Sequence, residues 1–368
     1  MSSKPAPASS LSMVLAERLA DAILPGDAPF TGDGLEQVAA FTAMAASTRE
    51  AGEAAIRIES VAGPAGERFM RLALINDDMP FLVDSIASTI AAHGLAIDRL
   101  IHPVIPVRRD EQGRLVEIVA GEAAGEKRES MVYVETSRAD ARQRRELERA
   151  LEATLADVRA AVQDWPRMQQ VMADDAESCP DSEGAALLRW FKDGMLTQLG
   201  HVTRHRDGSQ SGALGICRKS AKALLGPISY ERAFAWFEDH KGAQVPLAVK
   251  SNQISKVHRR TPLDLFILPV IEKGQLTALS VHAGIWTSAA LAASPTQIPR
   301  LRSNLADLTK RFRFSAQGHA GKALVHALTT LPHDLLVSFS DADVERLATA
   351  TMSLTDRPRP KLALVCAP

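Results

Sequence analysis

The chain has 368 residues, 46% of them hydrophobic and 24% charged, which is the composition of a folded protein long enough for more than one core. Its 43 basic and 44 acidic side chains leave a formal charge of -1, so the concentrated basic face that nucleic-acid binding requires is not expected. The 3 cysteines, Cys179, Cys217 and Cys366, are far apart with no CxxC or Cys/His spacing, which points to reduced thiols in a cytoplasmic protein rather than a structural metal.

The start, "MSSKPAPASS", reads as a disordered polar tail, and the apolar stretch after it is broken by Glu17, Arg18 and Asp21, which excludes a signal peptide or membrane span. Helical periodicity predicts helices over 11–25 and 34–47. The period then changes. "AAIRIESV" (54–61) alternates, passes a turn composition and meets "RFMRLALI" (68–75), a hairpin pattern. A helix is expected at 80–93, starting at Pro80 and ending before Gly94. "AIDRLIHPVIPV" (96–107) is a long β-run whose Pro103 and Pro106 call for an edge or a bulge. Strands at 115–120 and 130–137 follow, then a helix over about 138–164 with a stripe of Leu147, Leu151, Leu155, Val158, Val162 and Trp165.

This order is a split β-α-β sandwich of ferredoxin-like type that lacks its usual last strand, and strand 54–61 is expected to stand in for it. Residues 171–185 are acidic and aperiodic, so they read as a linker. Beyond them, five strand candidates with a helix near 230–237 among them predict a mainly antiparallel sheet of PAS-like or GAF-like shape. From about 295 the pattern is helical, with Ser340 as an N-cap. "RPRPKLALVCAP" begins what reads as a further strand.

Candidate chemistry concentrates at "INDDMPFLVDS" (75–85). Asp77 and Asp78 at a helix entry can offset the helix dipole, and free N–H groups at such a corner can hold a ligand carboxylate. No metal is expected there, because Asp84 lies a turn onward. His201 and His205, four apart on a strand, would lie about 13 Å from each other, too far to share an ion. "KSNQISKVHRRTPLD" (250–264) gathers Lys250, Asn252, His258 and Arg259, which could hold an anion or an acidic partner, or defend an exposed edge strand. "GHAGKA" (318–323) lacks the spacing of a phosphate loop, and no G-x-G-x-x-G, G-x-S-x-G or Cys–His signature is present.

Several blocks, in order, resemble a known family: "INDDMPFLVDS", "LIHPVIPVRRDEQGRL", "ESMVYVE", "LLRWFKDGMLTQLGH", "KSNQISKVHR", "WTSAALAASPTQIPRLR" and "GHAGKALVHAL". They look like the N-terminal region of the large bacterial NAD-specific glutamate dehydrogenases. The resemblance implies an α+β chain: an N-terminal tail and helices (1–50), a ferredoxin-like ACT domain (51–170), a linker (171–185), a PAS-like antiparallel-sheet domain (186–294), a helical segment (295–356) and the start of a further ACT-like module (357–368). It also implies a regulatory or oligomer-forming role, with catalysis and the NAD site in a part of the enzyme far downstream. The expected partners are the rest of that enzyme and its oligomer, with an amino acid as a possible effector at Asn76, Asp77, Asp78, Pro80 and Phe81. No catalytic residue, cofactor or metal is expected in this chain. The alternative is a stand-alone ACT/PAS-like sensor. One departure stands out: amino-acid-binding ACT domains place glycine just after the loop proline, and here that residue is Phe81.

Overall fold

The structure is a computed structural model that describes residues 8–62, 66, 68–119, 127–221, 223–240, 245–315 and 317–353. The expected disordered start and the expected strand at 357–368 therefore lie outside the described residues, apart from the first turn of a helix that begins at Ala8. The chain divides into two units, residues 1–159 with 256–260, and residues 160–255 with 261–368.

Unit 1 opens with α1 (Ala8–Asp21) and α2 (Gly34–Ala46). Its sheet is built from β1 (Ala55–Ala62), β2 (Arg68–Asp77), β3 (Ile97–Ile101), β4 (Val104–Arg109), β5 (Leu115–Ile118) and β6 (Arg128–Ser137). The helices α3 (Leu82–Ala92) and α4 (Ala141–Ser178) complete the element list. The strand order is β1-β2-β6-β4-β5, with β3 also on β6, and every pairing is antiparallel. Strand β1 lies against β2, where the last strand of a ferredoxin-like sandwich would run, so the expected substitution is realised. The β-run at 96–107 is split into β3 and β4, and Pro103 sits in the break.

The period-2 alternation of the strands sorts their side chains into two layers. Ala73, Ile75, Ile101, Ile105, Met131 and Tyr133 join Leu15, Leu19, Val38 and Phe41 of α1 and α2 in one core. Leu72, Leu74, Val132 and Val134 face the other way and are equally buried, as are Ile86 and Ile90 of α3 and Leu147, Leu151, Leu155 and Val158 of α4. A sheet covered on both faces explains why β2 reads as a nearly continuous apolar run.

Helix α4 corrects two expectations. It runs on to Ser178, so residues 171–178 are helix and not linker, held by Met168, Met172 and Ala176, which are buried at four-residue spacing. Trp165, expected on the buried stripe, is 48% exposed. The inward line passes instead through Asp164, whose carboxylate accepts from Gly215 N–H (2.8 Å) and Arg218 Nη2 (2.6 Å).

Unit 2 contains α5 (Ser182–Trp190) and the strands β7 (Leu196–His205), β8 (Gln210–Gly215), β9 (Leu247–Ile254), β10 (Pro262–Glu272) and β11 (Gln275–Trp286), with α6 (Pro227–His240) between β8 and β9. The order is β8-β7-β11-β10-β9, antiparallel throughout, so the first and last strands lie side by side at the centre. The helices α7 (Ser288–Ala292), α8 (Leu301–Arg311), α9 (His319–Thr329), α10 (His333–Leu336) and α11 (Asp341–Met352) follow. Ser340 caps α11 through its hydroxyl on Asp343 N–H, as its position predicted, and Lys322 is exposed in α9.

Candidate functional site

The acidic corner is built where β2 ends beside β6. The register sets Asp77 opposite Glu129 and Asn76 opposite Ser130. Two acids facing each other across a sheet repel, so the position is tenable only with cations between them. Arg49 supplies the first. Its backbone N–H donates to Gly113 O (2.9 Å), and Leu115 N–H donates to Ser47 O (2.9 Å), which pins the chain ahead of β1 onto the β4–β5 hairpin. The close approach requires Gly113, because a Cβ there would stand 2.3 Å from Arg49 O.

From that anchorage Arg49 Nη2 reaches Asp77 (2.6 Å) and Glu129 (2.7 Å). Arg109, on β4, forks onto both Glu129 oxygens at 2.8 Å each. Burial alone would raise the Glu129 carboxyl, but the hydrogen bonds and charges of Arg109 and Arg49 outweigh it and hold the group below the usual glutamate range. Arg159 of α4 donates to Asn76 Oδ1 and lies 3.7 Å from Asp77. Asp78 is separate: it is exposed and accepts from Ser130 Oγ at 2.9 Å. These carboxylates are committed to guanidinium and hydroxyl donors, an arrangement that fixes a corner and does not offer a proton to a substrate.

The helix entry differs from the expectation. Pro80 is not the first residue of α3: the helix begins at Leu82, and Phe81 precedes it with φ 72°. The bulky residue therefore keeps the left-handed backbone that glycine would adopt freely. Its ring packs on His258 at 5.2 Å between centroids, and His258 is itself at φ 63°. His258 N–H donates to Ser85 Oγ (2.8 Å), and its Nδ1 meets Asp84 Oδ2 at 2.9 Å. Of the residues singled out in the sequence, Asn76, Asp77, Phe81 and His258 thus belong to one corner of unit 1, which residues 256–260 occupy as a plug. The link between 76–85 and 258 is not visible in the sequence, where the two motifs stand far apart.

The remaining anion-contact residues resolve differently. Lys250 is not available to an outside anion, since its ammonium sits 2.7 Å from Asp264 and 2.6 Å from Asp334. Asn252 is exposed on β9, the edge strand of its sheet. Arg259 is half-buried.

His201 and His205 do not converge, as strand geometry required: His205 bonds exposed Ser211, while His201 is 3% exposed. The sequence reading missed the partner of His201. In the β7–β11 register His201 stands directly opposite His282, and Asp175 of α4 bonds His282 directly and is joined to His201 through Ser280, with possible ligand atoms of the three residues within 4.8 Å of one another. A histidine on each of two strands that pair centrally was the available signal. Burial and the neighbouring His282 push the His201 imidazole down to about 4.

Comparisons with known proteins agree with this architecture. The family model for the glutamate dehydrogenase ACT1 domain matches residues 34–151, from α2 into α4, and that for glutamate dehydrogenase helical motif 1 matches residues 298–357. The NAD-specific glutamate dehydrogenase of Halomonas elongata is 26% identical over 309 residues, and that of Pseudomonas aeruginosa 27% over 312, each covering 77% of this chain. The chain spans only 19% of the length of either relative. A solved RNA-binding light-oxygen-voltage receptor superposes with a TM-score of 0.17 at 10% identity, covering 81% of this chain and 94% of that one, a likeness that carries no argument. No described helix is long and apolar enough to cross a membrane. The chain is related to the NAD-specific glutamate dehydrogenases and corresponds to an N-terminal segment of such an enzyme, bearing its ACT1 domain and helical motif 1.

Proposed function

We propose that the chain is a non-catalytic regulatory and assembly segment of a cytoplasmic NAD-dependent glutamate dehydrogenase, which converts L-glutamate, NAD and water to 2-oxoglutarate, ammonia and NADH. The observation that carries this reading is the joint match of the ACT1 domain and the helical motif, together with relatives about four times as long. NAD and the catalytic residues belong, in this reading, to the remainder of the enzyme. The five-stranded antiparallel sheet of unit 2 supports the PAS-like assignment of that region.

The geometry of the ACT corner favours assembly over sensing. A free amino-acid effector needs open N–H groups and a small residue at the turn. Here Phe81 stacks on His258, and the Ser85 hydroxyl is already taken by His258 N–H. An internal segment stands where an effector would.

The test has two arms. Purified chain given L-glutamate and NAD is expected to form no NADH, and turnover by the chain alone overturns the non-catalytic reading. Co-expressed with a full-length relative deleted for the matching N-terminal segment, the chain is expected to co-purify with it and restore its native oligomer. Failure to associate overturns the assembly reading.

A further inference from the structure

The buried trio in unit 2 has a hydrogen-bond inventory that its own protons do not satisfy. His201 Nδ1 lies 3.2 Å from Gly212 O, a carbonyl that can only accept. His201 Nε2 lies 3.0 Å from Ser280 Oγ, and Ser280 Oγ lies 2.5 Å from Asp175 Oδ2. The same carboxylate oxygen meets His282 Nε2 at 2.7 Å. With Nδ1 protonated toward Gly212, both His201 Nε2 and Asp175 claim the single hydroxyl proton of Ser280. With Nε2 protonated instead, the Nδ1 lone pair faces the Gly212 carbonyl. With Asp175 ionised, either tautomer leaves two acceptors in contact with no proton between them, and a second proton on the ring would place an imidazolium where it is 3% exposed.

We propose that Asp175, His201 and His282 form a binding site for a divalent first-row cation of the Zn2+ class, with Ser280 or water in the fourth position. A cation bound to His201 Nε2 removes the conflict, because Nδ1–H is then free to donate to Gly212 O. An imidazole that ligates through one nitrogen and donates to a backbone carbonyl through the other is the usual outer-shell arrangement of metal-binding histidines. Two imidazole nitrogens and one carboxylate oxygen are a donor set that suits such ions, and the convergence within 4.8 Å leaves only small side-chain rotations to reach ligand distances of about 2.0–2.2 Å.

Both rings are held by the β7–β11 register, at 4.9 Å between centroids, so the pair is organised before a metal arrives. Asp175 also lines a cavity of about 710 Å³ between α4, α6 and the β10–β11 hairpin, with Phe237, Leu268, Val270 and Leu276, so that of the three residues it is the carboxylate that borders open space.

The experiment uses the untagged, chelator-treated chain titrated with Zn2+ by calorimetry and with Co2+ by absorption spectroscopy. One equivalent of each metal is expected to bind, with Co2+ showing d–d bands of a nitrogen- and oxygen-ligated site. His282→Gln and His201→Gln are expected to weaken binding at least about 100-fold, and Ser280→Ala to retain it. The wild-type spectrum decides the matter even where a histidine variant fails to fold. Absence of a stoichiometric band, or thiolate charge-transfer bands, overturns the site, as does unchanged binding in a folded histidine variant.

Discussion

Phe81 shows what a single residue can retain of a lost chemical identity. The glycine expected after Pro80 is absent, yet the backbone at φ 72° is still the one glycine would select. An L-residue held there loses roughly 1–2 kcal/mol, and the ring contact with His258 returns about 0.5–1.5 kcal/mol, so the two nearly offset each other. The two effects can be separated by substitution. Phe81→Ala keeps the backbone strain and loses the ring, whereas Phe81→Gly loses the ring and also relieves the strain. The glycine variant is therefore expected to be more stable than the alanine variant by about 1 kcal/mol, although alanine is ordinarily the less entropically costly residue. Urea unfolding of both variants checks the order, and an alanine variant equal to or above glycine would show that the turn relaxes.

At the scale of elements, close approach decides what the sequence pattern leaves open. Helix α5 lies so near the segment before β9 that a Cβ on Gly184 would stand 1.6 Å from Val245 O. A backbone carbonyl cannot swing aside as a side chain can. Gly184→Ala is accordingly expected to destabilise unit 2 by about 3 kcal/mol, read as a lowered urea midpoint, while Gly226→Ala, which meets nothing within 4 Å, serves as the neutral control. Nothing in "SEGAALLRW" announces this, because a glycine inside a helical pattern carries no information about what lies beside it. The same limit explains the misread linker. "VMADDAES" lacks apolar density, and only tertiary burial of Met172 and Ala176 carries the helix through it. Periodicity did reveal α2, α3, strand β1 and the Leu147–Val158 stripe, since each has a more exposed face and a core face to distinguish. The corner at 76–85 was legible as a corner. Its plug at His258 and the His201–His282 pair were not, because contacts between residues distant in sequence depend on register.

Across the whole molecule, buried groups of opposing sign are expected to set the response to acid. In unit 1 the folded Glu129 carboxyl lies below its unfolded value of 4.5, so its contribution is complete above that pH and is lost as pH falls through the folded value. In unit 2 burial pushes the Asp264 carboxyl up to about 6 from 3.8, with Asp334 competing for the same Lys250 ammonium. Between those values the folded state holds a proton that the unfolded state has released. Stability from Asp264 is thus greatest below pH 3.8 and declines as pH rises to about 6, by roughly 3 kcal/mol over the window at about 1.4 kcal/mol per pH unit. The buried His201 imidazole, down at about 4 from 6.5, opposes this in unit 2, because between those values the unfolded chain holds a proton that the folded one lacks; moderate acidification is therefore expected to leave unit 2 nearly level, and stronger acid should destabilise unit 1. Asp264→Asn is expected to leave the His201 slope unopposed, so that unit 2 loses stability as pH falls from about 6 to 4, and Glu129→Gln to flatten the loss of unit 1 in stronger acid. Tryptophan fluorescence offers a probe for the unit 2 slope, because Trp165, Trp190, Trp236 and Trp286 all fall in that unit. Hydrogen exchange of the β2 and β6 amides follows unit 1. If the Asp264→Asn chain kept the wild-type dependence of fluorescence-detected stability between pH 4 and 6, burial would not be the dominant influence on Asp264.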